Sequence, residues 1–136
     1  MRILSSSILF TSFFFTSTIW AHGHDSSTYC HNRPETQKVL HLETAEGGAM
    51  TVDFGDVEPS ISTSSALFCA NPAVEVTDAI LWMPGMGHGS APTTVTPSPD
   101  AAGCYVIDDI DFLMPGHWQI KIQIPAHDEE IFNVCI

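Results

Sequence analysis

Trp118, Ile120, Ile122 and Ile124 alternate without a fault with Gln119, Lys121 and Gln123. A period of two puts every apolar side chain on one face of an extended strand. A helix would scatter the same residues around its circumference. The stretch therefore needs a partner sheet to cover one face. Other segments repeat the pattern more briefly. Leu40 and Leu42 flank His41, and Met50, Val52 and Phe54 flank Thr51 and Asp53. Further extended runs are expected at 66–69, 74–82, 93–96, 104–112 and 132–136, with Asp108 and Asp109 breaking the phase of the 104–112 run as a bulge does. No segment carries a convincing 3.6-residue period. Nine glycines and nine prolines cut the chain into short pieces. The expected fold is all-β: one immunoglobulin-like antiparallel β-sandwich.

The chain's ends constrain its setting. Residues 1–21, MRILSSSILFTSFFFTSTIWA, place Arg2 before an apolar run that closes on Ala21, and no acidic residue precedes Asp25. That is the layout of a secretory signal peptide, interrupted by Ser and Thr and lacking the charged stop of a membrane anchor. Cleavage there leaves no stable anchor and a periplasmic or secreted product. Residues 22–37 are polar and aperiodic and read as a flexible arm, with the sandwich over 38–136. Beyond the leader, Arg33, Lys38 and Lys121 stand against all 16 acidic residues. Such a surface repels nucleic acid and anionic lipid.

The strand order makes a further expectation possible. If each connection reverses the chain, the loops at 83–90 and 113–117 lie at the same end of the sandwich. Cys69 and Cys104 fall together at the opposite end, and Cys30 and Cys135 at the loop end. Four widely spaced cysteines in an oxidising compartment favour two disulfides. Of the three possible pairings, parity selects Cys69–Cys104 and Cys30–Cys135. The argument depends on 93–96 being a real strand.

The two loops carry unusual chemistry. "WMPGMGHGS" runs from Trp82 to Ser90, and "MPGH" from Met114 to His117. Met83, Met86 and His88 form an M-x-x-M-x-H series on a glycine-rich backbone, and Gly85, Gly87 and Gly89 permit tight bends. On an extended backbone Met86 and His88 would point the same way. Thioether and imidazole suit soft or borderline metals, copper above all, and a thioether binds Cu(I) without losing a proton. Met114 and His117 could complete the set from the facing loop. Met83 and Met114 could equally cap the sandwich. Met50, Trp82 and Trp118 read as core, and His31, His41 and His127 as surface. A second metal signal lies in the arm. Cleavage after Ala21 would expose His22-Gly23-His24, whose amine, backbone amides and imidazoles form a nitrogen set for Cu(II) or Ni(II).

These residues resemble the YtkA-like domain, a periplasmic or secreted immunoglobulin-like sandwich related to FixH-type proteins. The resemblance covers roughly 47–136. Met83, Pro84, His88 and Gly89 fall on its first motif, and Met114, Pro115, Gly116 and Trp118 on its second. Position 86 is often histidine there and is Met86 here, while His117 sits where other residues are common. The resemblance implies the sandwich fold and copper handling. It does not imply the arm, Cys30 or Cys135. The expected function is a small copper carrier, buffer or assembly factor that hands the metal to a receiving protein. The alternative is an immunoglobulin-like module that binds a protein partner without metal. No catalytic motif supports an enzyme: no nucleophile stands beside a base, and there is no phosphate loop or His-plus-carboxylate zinc motif.

Overall fold

A computed structural model describes residues 29–125 and 128–136. The leader, His22, His24 and His127 lie outside the described residues. Within them the chain is all-β, with strands β1 (Val39–Glu43), β2 (Ala49–Asp53), β3 (Thr63–Asn71), β4 (Asp78–Met83), β5 (His88–Gly89), β6 (Thr94–Pro97), β7 (Cys104–Asp111), β8 (His117–Gln123) and β9 (Glu130–Cys135). They form two antiparallel sheets, ordered β1-β2-β3-β7-β6 and β5-β4-β8-β9. Among the described residues no helix is long and apolar enough to cross a membrane.

The alternation in β8 does what its period requires. Trp118, Ile120 and Ile122 are fully buried, and His117, Gln119 and Lys121 face away from the core. The inward faces of the two sheets meet through Phe112 against Trp118, with ring centroids 5.6 Å apart, and through Phe68 edge-on to Phe132. Full burial of a large apolar side chain of this kind contributes roughly 1.5–3 kcal/mol. Val52, Ile107, Ile110 and Val134 fill the space between, and Met50 is core as expected.

The expected bulge is present. Ser64 pairs with Ile110 and Ala66 with Ile107, so β7 carries one more residue than β3 between those pairs. Asp109 takes the strained conformation, with φ 60°, and accepts a hydrogen bond from Thr94 Oγ1. Two boundaries differ from expectation. The 74–82 run becomes a strand only at Asp78, and the 93–96 run is preceded by a short β5 that pairs with the end of β4. Ser90 N–H then donates to Leu81 O and Thr93 Oγ1 to Ala79 O, so the chain descends along β4 before β6 joins β7 in the other sheet. One descent is shared between two sheets, and the parity of the strands is preserved.

Both expected disulfides are formed, Cys30–Cys135 and Cys69–Cys104. Cys69 and Cys104 are directly opposed partners of β3 and β7. Cys30 sits in a short 3-10 turn, Cys30–Asn32, and ties the described part of the arm to the end of β9. Gln37 completes that attachment. Its side-chain amide donates to Cys135 O at 2.8 Å and its carbonyl accepts from Cys135 N–H at 2.7 Å. A buried carboxamide thus stands in for the peptide group of a neighbouring strand. Glu58 secures the same corner by accepting from Thr36 Oγ1 and from Gln37 N–H, and these bonds lower its pKa.

Candidate metal centre

The first loop is a tight turn. Leu81 and Met83 point into the core from β4, and Ile80 and Trp82 point outward. After Met83 the chain reverses at once, with the N–H groups of Met86 and Gly87 both donating to Met83 O. The reversal brings His88 directly opposite Met83 in the β4–β5 pair. Directly opposed residues share a face of the sheet, so the imidazole lies on the Met83 side. Its ring stands edge-on to Trp118, with centroids 6.4 Å apart. Its Nδ1–H donates to Gly89 O at 3.1 Å, so in the neutral imidazole Nε2 is the nitrogen that carries the lone pair.

This geometry corrects the expected relation between Met86 and His88. The two-residue rule needs an extended backbone, and Met86 lies inside the turn. Met86 instead stands at the tip, 60% exposed, while Met83 is buried. Trp82 is also corrected. It lies half-buried on the outer face of its sheet, with the Lys121 ammonium 5.6 Å from its ring centre. Trp118 alone takes the core position expected of both.

The second loop is pinned to β8 and to the chain end. Trp118 Nε1–H donates to Met114 O at 2.9 Å, and Gly116 exchanges two backbone bonds with Ile136. Met114 is half-buried and packs against the core. A side chain at Gly116, where φ is 138°, would come within 2.5 Å of the Met83 methyl group, so the two loops touch there. Ser90 Oγ adds a bond from the end of the first loop to Asp111 O at the end of β7. Both Met/His segments therefore meet at one end of the sandwich. His88 stands edge-on to the Trp118 indole and opposite Met83, the indole N–H holds the Met114 backbone, and Met86 lies at the exposed tip of the turn. Met83 and Met114 do cap the sandwich, and Met83 does so directly opposite His88.

His117 stands apart from this group. It precedes the inward-facing Trp118 on β8, so its side chain emerges on the opposite face of the sheet. There it stacks on Tyr29, with centroids 4.5 Å apart, and its Nε2 bonds with Asn133 Oδ1 at 2.8 Å. Its Nδ1 is buried without a partner among the described residues. Burial raises the pKa of Tyr29, whose hydroxyl donates to Asn133 O. His31 and His41 are exposed, as expected.

The remaining donors are thioethers and one imidazole. Among the described residues no three His, Cys, Asp or Glu side chains converge as a hard or borderline metal would require. A set of sulfur donors with a single neutral nitrogen selects Cu(I) over Zn(II), Ca(II) or Mg(II). The feature that sequence reasoning missed is the Trp118–Met114 bond. Its only trace in the sequence is an indole four residues after the methionine. No family model, no curated protein and no solved structure matches the chain.

Proposed function

We propose that the chain is a small exported copper-binding protein that holds Cu(I) at the Met/His end of the sandwich and passes it to a receiving protein. Met83, Met86 and His88 are its nearest ligands, and Met114 completes the set from the second loop. The convergence of the two loops at Gly116 and Met83 carries this reading, because it brings methionine-bearing segments from separate parts of the chain to the end where His88 lies opposite Met83. His117 is left out of the set, since it faces the other way. Two disulfides support export to an oxidising compartment. Membership of the YtkA-like family belongs to the same proposal and rests on the paired MPG motifs. A separate Cu(II) site at His22 and His24 depends on cleavage after Ala21.

The metal-free alternative has one observation in its favour. Met86 and Leu113 are both exposed at this end and could form an adaptable apolar contact surface.

Competition with a chromogenic Cu(I) chelator in ascorbate separates the readings, since ascorbate keeps copper reduced and leaves disulfides intact. One tight site is expected. Met86→Leu and His88→Ala should each weaken it by about tenfold or more, the scale on which lost metal-site contacts act. His41→Ala should not. Unchanged affinity in both loop variants, with copper binding abolished by deleting residues 22–24, would move the site to the arm. No stoichiometric copper at all would favour the contact surface.

A further inference from the structure

We propose that Met86 is a site of reversible oxidation by peroxides, and that its sulfoxide releases the metal from the Met/His end. The release step rests on the copper reading above. The oxidation step rests on the structure of the turn alone.

The methionines differ sharply in access. Met86 is 60% exposed, against 7% for Met83 and 6% for Met50, and Met114 is half-covered by the core. Gly85 and Gly87 flank Met86 and are themselves exposed, so neither flanking residue has a side chain to shield the sulfur. The backbone beneath is fixed by the two bonds to Met83 O, which keep the side chain at the tip of the turn.

The chemistry needs only the oxidant. The sulfur lone pair attacks one oxygen of hydrogen peroxide, the S–O bond forms and the O–O bond breaks. The departing hydroxide takes the proton from the transferred oxygen and leaves as water. Sulfur loses two electrons and the peroxide gains them. At Met86 the new oxygen emerges into solvent, so the fold is undisturbed. At Met83 or Met50 it would enter the core. The sulfoxide is a poor partner for Cu(I), because its sulfur is depleted of electron density and its accessible donor is a hard oxygen. Met83, His88 and Met114 remain, and the site loses its outermost sulfur. The coupling runs both ways: a bound soft ion occupies the lone pair that would attack the peroxide.

The test uses the full chain with its disulfides intact. Hydrogen peroxide is added with and without Ag(I), a soft ion that mimics Cu(I) without redox cycling, and each methionine is followed by mass spectrometry. Met86 should oxidise roughly tenfold faster than Met50 or Met83, following exposure, and Ag(I) should slow Met86 selectively. The Met86 sulfoxide protein should bind Cu(I) about tenfold more weakly. Methionine sulfoxide reductase should restore its affinity. Met86→Leu should be indifferent to peroxide in both respects. Oxidation of Met50 or Met83 as fast as Met86 would overturn the proposal. So would equal Cu(I) affinity before and after oxidation, which would leave the copper reading standing. Failure of the unoxidised chain to bind Cu(I) or Ag(I) would overturn the copper reading and the release step together.

Discussion

Each end of the sandwich carries a disulfide, and the two bridges do different work. Cys69–Cys104 joins residues that β3 and β7 already hold opposite one another. Cys30–Cys135 joins segments 105 residues apart that no strand pairing brings together. The first reinforces a sheet, and the second creates an attachment. The surroundings follow the same division. Beside Cys69–Cys104, strand ends and a shallow cavity lined by Met50, Val74, Glu46 and Glu130 make an ordinary sandwich base. At the opposite end, contacts are added to the regular strand ladders to tie the arm, the last strand and both Met/His loops: the disulfide, the Gln37 carboxamide, the Trp118 indole and the contact at Gly116. A site can tolerate donors with no packing role where the backbone is fixed by such local devices.

The largest test of this contrast is to remove each bridge in turn. On the chain-entropy account, closing the longer loop is worth about 5 kcal/mol and closing the shorter one about 4 kcal/mol. The Cys69→Ala/Cys104→Ala variant should lose its loop's full amount, because the β3–β7 pairing keeps the native state ordered while the unfolded chain gains freedom. The Cys30→Ala/Cys135→Ala variant should also lose the full amount. Urea unfolding of the two proteins measures both. A larger loss from the Cys69–Cys104 pair would mean that the arm attachment contributes little.

Gln37 tests whether the arm is held by more than its disulfide. Gln37→Leu keeps the volume but leaves the Cys135 N–H and C=O buried without partners. A loss of about 2–3 kcal/mol is expected, the cost of stranding such groups. Loss of hydrogen-exchange protection should be confined to the Cys135 amide and its neighbours. A change within a few tenths of a kcal/mol would show that water replaces the carboxamide.

A matched pair of glycine variants gives the smallest effect and the sharpest comparison. Gly116→Ala and Gly103→Ala each place a side chain on a left-handed backbone, with φ 138° and 77°, at opposite ends. The added methyl would meet the Met83 methyl group at Gly116 and the Ala73 methyl group at Gly103. Both should destabilise by about 1–2 kcal/mol through backbone strain. Only Gly116→Ala should also weaken Cu(I), because it pushes on the proposed ligand Met83. Equal effects on copper from both variants would disconnect the Gly116 contact from the metal site.

Much of this architecture is legible in the sequence because strand periodicity is local. The alternation in β8 fixes which of its residues are buried, and Asp108-Asp109 marks the bulge by breaking phase. Reversal at each connection brings the Met/His loops together and pairs all four cysteines correctly. The same reasoning loses its footing where regular geometry stops. Met86 and His88 would share a face on an extended chain, but Met86 lies in a turn, and a turn has no period to read. The alternation also implied that His117 opposes Trp118. Using it required knowing that the strand begins at His117 rather than after it.

The sequence by itself determined the all-β character, the two disulfides and the end of the molecule at which the sulfur and imidazole donors meet. These depend on alternation and on counting reversals, both properties of order along the chain. Only the tertiary structure decided which donors remain together. Met83 turns inward because it continues the buried face of Leu81, and His88 follows because the tight turn sets it opposite Met83. His117 is carried to the outer face and held there by Tyr29 and Asn133. Gln37, an unremarkable polar residue in an aperiodic stretch, becomes a buried substitute for a strand. Each of these outcomes depends on contacts between residues distant in sequence, whose geometry exists only once both sheets have closed on the core.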